Sequence, residues 1–271
     1  MFKNILVSLC SREQVAPVVQ QAIWLARRER AHMLGLHVVD QQELVPPAGT
    51  EGIRPDHWRE AVEPELKAAG QSFLDYLADE CARASVPVQT KLLVGSTSKA
   101  ICQQARTADL IVMGRGGECL RRGDLLGCCP LEGVVRHSRR PVLAVGAQPR
   151  PIERILVAYD GSHRASTALA MAARLACEWQ VELLLLTVVE KGLGKEVLAE
   201  GQAYLAPYGL AGRALLRDGT PAVEILDASA EEDADLIVMG TYCHNRVQEL
   251  VFGGTVGEVV RKAGCPVLIG C

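Results

Sequence analysis

Apolar residues in this chain fall into two rhythms. One is the short continuous run expected of a strand covered on both faces: Asn4–Cys10 (NILVSLC), Leu34–Val39, Val88–Val94, Asp109–Met113 and Pro141–Val145. The other is the helical spacing of Val15, Val18, Val19, Ala22 and Ala26, running to Arg28 behind Ser11 as a candidate cap. Between the second and third runs, residues 41–60 carry Pro46, Pro47, Gly49, Gly52 and Pro55 and predict a loop. A helix is expected from about Glu60 to Ala84, with Leu66, Phe73, Leu74 and Leu77 inward. Shorter helices are expected at Ser98–Arg106 and Leu131–His137.

After Ala147–Glu153 (AQPRPIE), a short proline-stiffened linker, the order starts again. Strands are expected at Arg154–Tyr159, Val181–Val189, Ala211–Arg217, Asp235–Met239 and Pro266–Ile269. Helices are expected from Ser162 to Trp179 and at Lys195–Ala206, Thr220–Glu232 and Thr255–Ala263. The heptapeptide ADLIVMG stands at Ala108–Gly114 and again at Ala234–Gly240, each time followed by a glycine-bearing loop, a helix and a proline-led apolar strand. The chain therefore reads as a tandem repeat, with one domain over residues 1–147 and another over 153–271. Strands alternating with helices imply right-handed crossovers and a mostly parallel sheet, an α/β, doubly wound architecture.

Composition narrows the function classes. The 271 residues carry a net charge of −3, which leaves no basic footprint for nucleic acid. The longest apolar run, Val181–Val189, is too short to cross a membrane, and MFKNILVSLC reads as a strand rather than a secretion signal. A cytoplasmic location is the expectation. Ten cysteines without a paired C-x-x-C ladder read mainly as buried small hydrophobes in a reducing compartment.

Candidate chemistry gathers where strands hand over to helices. Gly240, Cys243, Gly253 and Gly254 form a loop ahead of a helix that opens at Thr255. Glycines admit close approach of backbone N–H groups, and a helix N-terminus favours an anion by ~0.3–1 kcal/mol. Asp160 ends the first strand of the second half, with Gly161 and Ser162 behind it. A carboxylate there suits a ribose hydroxyl or a purine amine, although Asp-Gly-Ser also reads as no more than a turn and a helix cap.

These motifs in this order (ILVAYDGS, ADLIVMGT, G-x2-G-x9-G and CPVLI) resemble the universal stress protein family, across essentially the whole chain and as a tandem, two-domain member. The resemblance implies a Rossmann-like, five-stranded parallel sheet of order 3-2-1-4-5 in each domain. It also implies fifth strands that pair across a dimer, here formed between the halves, and a possible homodimer of chains. Many members bind ATP or AMP between the first and fourth strands. On the second half it places that site at Ala158, Asp160, Gly161, Val188, Met239, Gly240, Cys243, Gly253, Gly254 and Thr255. Cys243 departs from the family's second glycine, and Gly254 from its usual Ser or Thr. The first half keeps Gly114, Gly117 and Gly127 but has Cys10 for the aspartate, Ser11 for the next glycine and Cys128 for Ser/Thr. With Val38 and Met113 these make a possible second site, degenerate or tuned to another ligand.

The expected function is a stress-response protein that binds an adenine nucleotide in its second domain and acts as a sensor or regulator, with at most slow ATP hydrolysis. No Walker loop, G-x-S-x-G elbow or Ser/His/Asp arrangement is present to argue for an enzyme. The alternative is a scaffold with degenerate nucleotide sites, acting through protein contacts, another small ligand, or a thiol or metal site formed by Cys10, Cys128 and Cys129. His37, His137, His163 and His244 lack metal-ligand spacing and read as lining surfaces or loops, so no metal site is assigned to them.

Overall fold

The computed structural model describes residues 1–47, 54–116, 130–189, 194–210, 212–241 and 254–270. The chain divides into two compact units, Phe2–Ser138 and Arg139–Cys271. No described helix is long and apolar enough to cross a membrane.

The first unit runs β1 (Asn4–Ser8), α1 (Arg12–Glu29), β2 (His32–Asp40), α2 (Pro55–Arg83), β3 (Val88–Gly95), α3 (Thr97–Gln104), β4 (Leu110–Gly114) and α4 (Pro130–His137). Its strands lie in the order β3-β2-β1-β4, all parallel. The predicted inner face of α1 is buried at every position, from Val15 to Ala26. Ile5, Leu6 and Val7 of β1 are almost wholly inaccessible, each contributing about 1.5–3 kcal/mol of burial.

Three local expectations change here. Helix α2 begins at Pro55, inside the segment read as loop. Proline suits a first helical position, where its missing N–H would have no partner and its φ is already helical. The inner face of α2 is Gly70, Leu74, Leu77 and Cys81, with Leu66 and Phe73 only half-covered. Ser11 stands at the N-cap of α1, but its hydroxyl makes no capping hydrogen bond and is buried without a partner.

The second unit runs β5 (Val142–Val145), β6 (Arg154–Ala158), α5 (His163–Trp179), β7 (Glu182–Val189), α6 (Gly194–Leu205), β8 (Arg213–Asp218), α7 (Pro221–Glu231), β9 (Leu236–Gly240), α8 (Thr255–Lys262) and β10 (Val267–Gly270). Five strands are parallel in the order β8-β7-β6-β9-β10, which is the expected 3-2-1-4-5. A sixth, β5, closes the first sequence repeat yet lies in this unit. It pairs antiparallel with β10, setting Ala144, Leu143 and Val142 opposite Val267, Leu268 and Ile269. All six of these residues are buried, so the pairing hides the edge that β10 would otherwise present.

At the start of the strands Arg154 and Arg213 both reach Glu182, at 2.7 and 3.1 Å, tying β6, β7 and β8 together. The strands' other ends, where α5, α6, α7 and α8 begin, are left for the site.

Candidate functional site

A cleft of about 830 Å³ opens at the C-terminal ends of β6, β7 and β9, within the size range of small-molecule sites. It sits where the strand order reverses, between β6 and β9, the position at which open α/β sheets receive ligands. Seven of the ten residues proposed from sequence line it: Ala158, Asp160, Gly161, Val188, Met239, Gly240 and Thr255. Gly254 caps α8 beside them, while Cys243 and Gly253 lie outside the described residues.

Each wall has a local cause. At the end of β6, Asp160 Oδ1 accepts from the Ser162 N–H at 2.9 Å, and Ser162 Oγ accepts from the Ala165 N–H at 3.2 Å. The turn between them puts Gly161 at φ +78°, a left-handed conformation that a Cβ would strain. Turn and cap are therefore both real, and they hold the exposed Asp160 at the rim of the cleft. Tyr159 packs inward, with its hydroxyl donating to Glu200 Oε1 at 2.9 Å. Burial pushes its phenol above the ordinary pKa, and the charges of Glu200 and Asp160 add to the rise.

Gly240 is required by a close approach. A Cβ there would lie 2.6 Å from the Arg164 carbonyl carbon and 2.8 Å from the Ala165 nitrogen, so β9 ends directly against the first turn of α5. The next residue, Thr241, is buried, donates its N–H to the Gly270 carbonyl at 3.3 Å and accepts from Arg164 Nη1 through its hydroxyl. Gly254 behaves differently. Its φ of −133° is extended, and nothing lies within 4 Å of where a Cβ would stand. Glycine is thus not demanded by the backbone at this position.

Electrostatically the cleft faces the positive ends of four helices. His163 and Arg164 open α5, Gly194 opens α6, Pro221 opens α7 and Thr255 opens α8, and all five residues line the cleft. Thr187, on β7, also lines it. This side chain is 2% exposed, and its Oγ1 has no hydrogen-bond partner. Buried hydroxyls almost always find a partner, and leaving one unmet costs about 1–3 kcal/mol. Sequence reasoning missed Arg164 and Thr187. The signal for Thr187 was present, as one hydroxyl within the apolar run Leu183–Val189. No sequence pattern pointed Arg164 into the cleft.

The corresponding place in the first unit is arranged otherwise. Cys10 is exposed, with its Sγ 3.4 Å from Ser8 Oγ. Val38 and Met113 are buried, and Gly114 ends β4. Gln14 lies over Gly114, where a Cβ would meet its carboxamide, and Gln14 Oε1 accepts from the Gly116 N–H at 3.1 Å. Gly117, Gly127, Cys128 and Cys129 lie outside the described residues, which leaves Cys10 as the one described member of the proposed thiol cluster. Among the described residues no group of three His, Cys, Asp or Glu could hold a metal ion.

His37 corrects an expectation. It is buried in β2 rather than lining a surface or loop, with Nδ1 donating to the Leu9 carbonyl at 2.7 Å and the ring edge-on to Phe73 at 5.6 Å. Gly70 of α2 leaves the space that the imidazole fills. Nearby, Asp40 ties the end of β2 to α3, accepting from the Gln42 N–H at 3.0 Å and from the Thr97 N–H and Oγ1–H at 3.0 and 2.6 Å. Burial pushes its carboxyl up, but those three hydrogen bonds outweigh it and hold the pKa below the ordinary 3.8.

Comparison with known proteins agrees with this architecture. The family model described as "Universal stress protein family" matches residues 1–146, 151–203 and 190–269. The chain is 27% identical to universal stress protein Slr1230 of Synechocystis over 304 residues, covering 98% of this chain and 99% of that protein. It is 35% identical over 131 residues to a universal stress protein of Thermus aquaticus, covering 42% of this chain and 96% of the shorter protein. Among solved structures, a universal stress protein of Archaeoglobus fulgidus matches with a TM-score of 0.75 at 21% identity, covering 98% of this chain and 95% of that one. That last likeness concerns the fold alone. By the family match across both repeats, the chain belongs to the universal stress protein family.

Proposed function

We propose that the second unit binds an adenine nucleotide, ATP or AMP, in the cleft between β6 and β9, and that the protein acts as a stress-response sensor or regulator. The observation that carries this reading is the convergence of Asp160, Val188, Gly240 and Thr255 on one cleft of ligand size. The base would lie toward Val188 and the unmet hydroxyl of Thr187, the ribose near Asp160, and the phosphates toward Thr255 and the helix N-termini. Among the described residues of the cleft none forms a nucleophile–base pair, and slow turnover at most is expected.

For the first unit we propose loss of nucleotide binding. There Gln14 covers Gly114 and Cys10 stands in place of the carboxylate. Isothermal titration of the intact chain with ATP and AMP tests both halves of the reading. Saturable binding with one ligand per chain, lost in Asp160→Ala, is the expected result. Binding that survives the substitution moves the site to the first unit, and no binding to either nucleotide leaves a scaffold without this ligand.

A further inference from the structure

Among the described residues, Arg164 is a cation of the cleft with no carboxylate paired to it. It lies in the first turn of α5, half-buried, and its guanidinium donates through Nη1 to Thr241 Oγ1. Among the described residues it makes no ion pair, whereas other arginines of the same unit do: Arg154 and Arg213 with Glu182, and Arg217 with Glu231. Asp160, the acidic residue that lines the same cleft, turns one oxygen to the Ser162 amide. A guanidinium presents five donors in a planar fork that matches a phosphate, and a single hydroxyl partner leaves most of that fork unused. The hydroxyl of Thr241 holds it against the end of β9. Thr187 marks the opposite wall with a second unmet polar group, so the cleft offers unspent hydrogen bonding at both ends.

We propose that Arg164 is the anion-recognising residue of this cleft, and that the site takes a nucleoside di- or triphosphate in preference to the uncharged nucleoside. This rests on the nucleotide reading above and adds to it the group that would read the phosphate tail. Because the partner is a half-exposed charge, the interaction weakens with salt.

The test is calorimetric titration of the intact chain with ATP, adenosine and inorganic tripolyphosphate, using wild type, Arg164→Met and Arg164→Lys. Arg164→Met should weaken ATP by about tenfold to a hundredfold, the loss expected for a charge-assisted hydrogen bond, and weaken adenosine far less. Arg164→Lys should recover part of that loss, since it keeps the charge without the fork. The salt dependence of ATP binding should flatten in Arg164→Met only. ATP binding that is equal in wild type and Arg164→Met, with adenosine also bound, overturns the role of Arg164 and leaves the nucleotide reading standing. Tripolyphosphate bound through Arg164, with adenosine not bound and ATP no tighter than tripolyphosphate, upholds the anion site and overturns the adenine reading. Failure of all three probes overturns both. If Arg164→Met does not fold, Thr241→Val frees the guanidinium while keeping its charge, and should still prefer ATP to adenosine; loss of that preference overturns the proposal.

Discussion

Gln14 and Arg164 stand at the same place in the two repeats, four residues after Cys10 and Asp160, yet they treat the neighbouring glycine in opposite ways. In the first unit the Gln14 side chain folds over Gly114 and bonds the Gly116 amide, so a protein group occupies the space above the strand end. In the second unit the Arg164 backbone abuts Gly240, while its side chain reaches past the glycine to Thr241. ADLIVMG is identical in both copies. Identity of a motif thus did not preserve identity of a site, because what covers the last glycine comes from the first turn of a different helix.

The sharpest way to break this comparison is at the carboxylate. Asp160→Ala should lower adenine-nucleotide affinity at least about tenfold, as expected for loss of a hydrogen bond to a charged group, while Cys10→Ala should leave it as in wild type. Equal effects at the two positions, measured by calorimetry, would show that the units are not differentiated.

Next in size is the glycine pair. Gly240→Ala sets a methyl against backbone that cannot move aside, and should cost about 1–3 kcal/mol or more in denaturant unfolding. Gly114→Ala meets chiefly the carboxamide end of Gln14, with Gln14 Cβ at 3.1 Å, so the side chain can swing away and the cost should be below that of Gly240→Ala. A smaller effect of opposite sign is expected for Thr187→Val. Removing an unmet buried hydroxyl at constant shape should stabilise the ligand-free protein, by up to about 1 kcal/mol, and weaken nucleotide binding if the hydroxyl serves the base.

The smallest effect concerns acid. Asp40 of the first unit has its pKa held down in the folded state, so its hydrogen bonds contribute fully above about pH 3.8 and that contribution is lost as pH falls through the lower folded value. Asp40→Asn should therefore reduce stability near neutrality and flatten the acid limb of the stability curve, as followed by thermal unfolding. The carboxylate is only part-buried, which keeps the change small.

Much of the architecture is legible in the amino-acid sequence. Continuous apolar runs mark the strands because both faces of a parallel sheet are covered, and helical spacing marks α1 and α5. The local turn at Asp160-Gly161-Ser162 is also legible, since an Asx turn, a positive φ and a cap are made by neighbours in sequence. Pro55 misleads in the other direction, because a helix opener and a loop residue look alike without the helix behind it.

Periodicity and chain direction, both local properties, were enough to set the repeat and the order of strands and helices along the chain, while the residues expected where β6 and β9 end were named by the family resemblance. Tertiary packing decided that β5 joins the second unit, that His37 goes inside against Phe73 and Gly70, and that Gln14 fills one crevice while Arg164 leaves the other open. Each of those outcomes depends on which side chain from a distant segment reaches a space first, and on the hydrogen bond waiting for it there. Spacing along the chain carries no record of either.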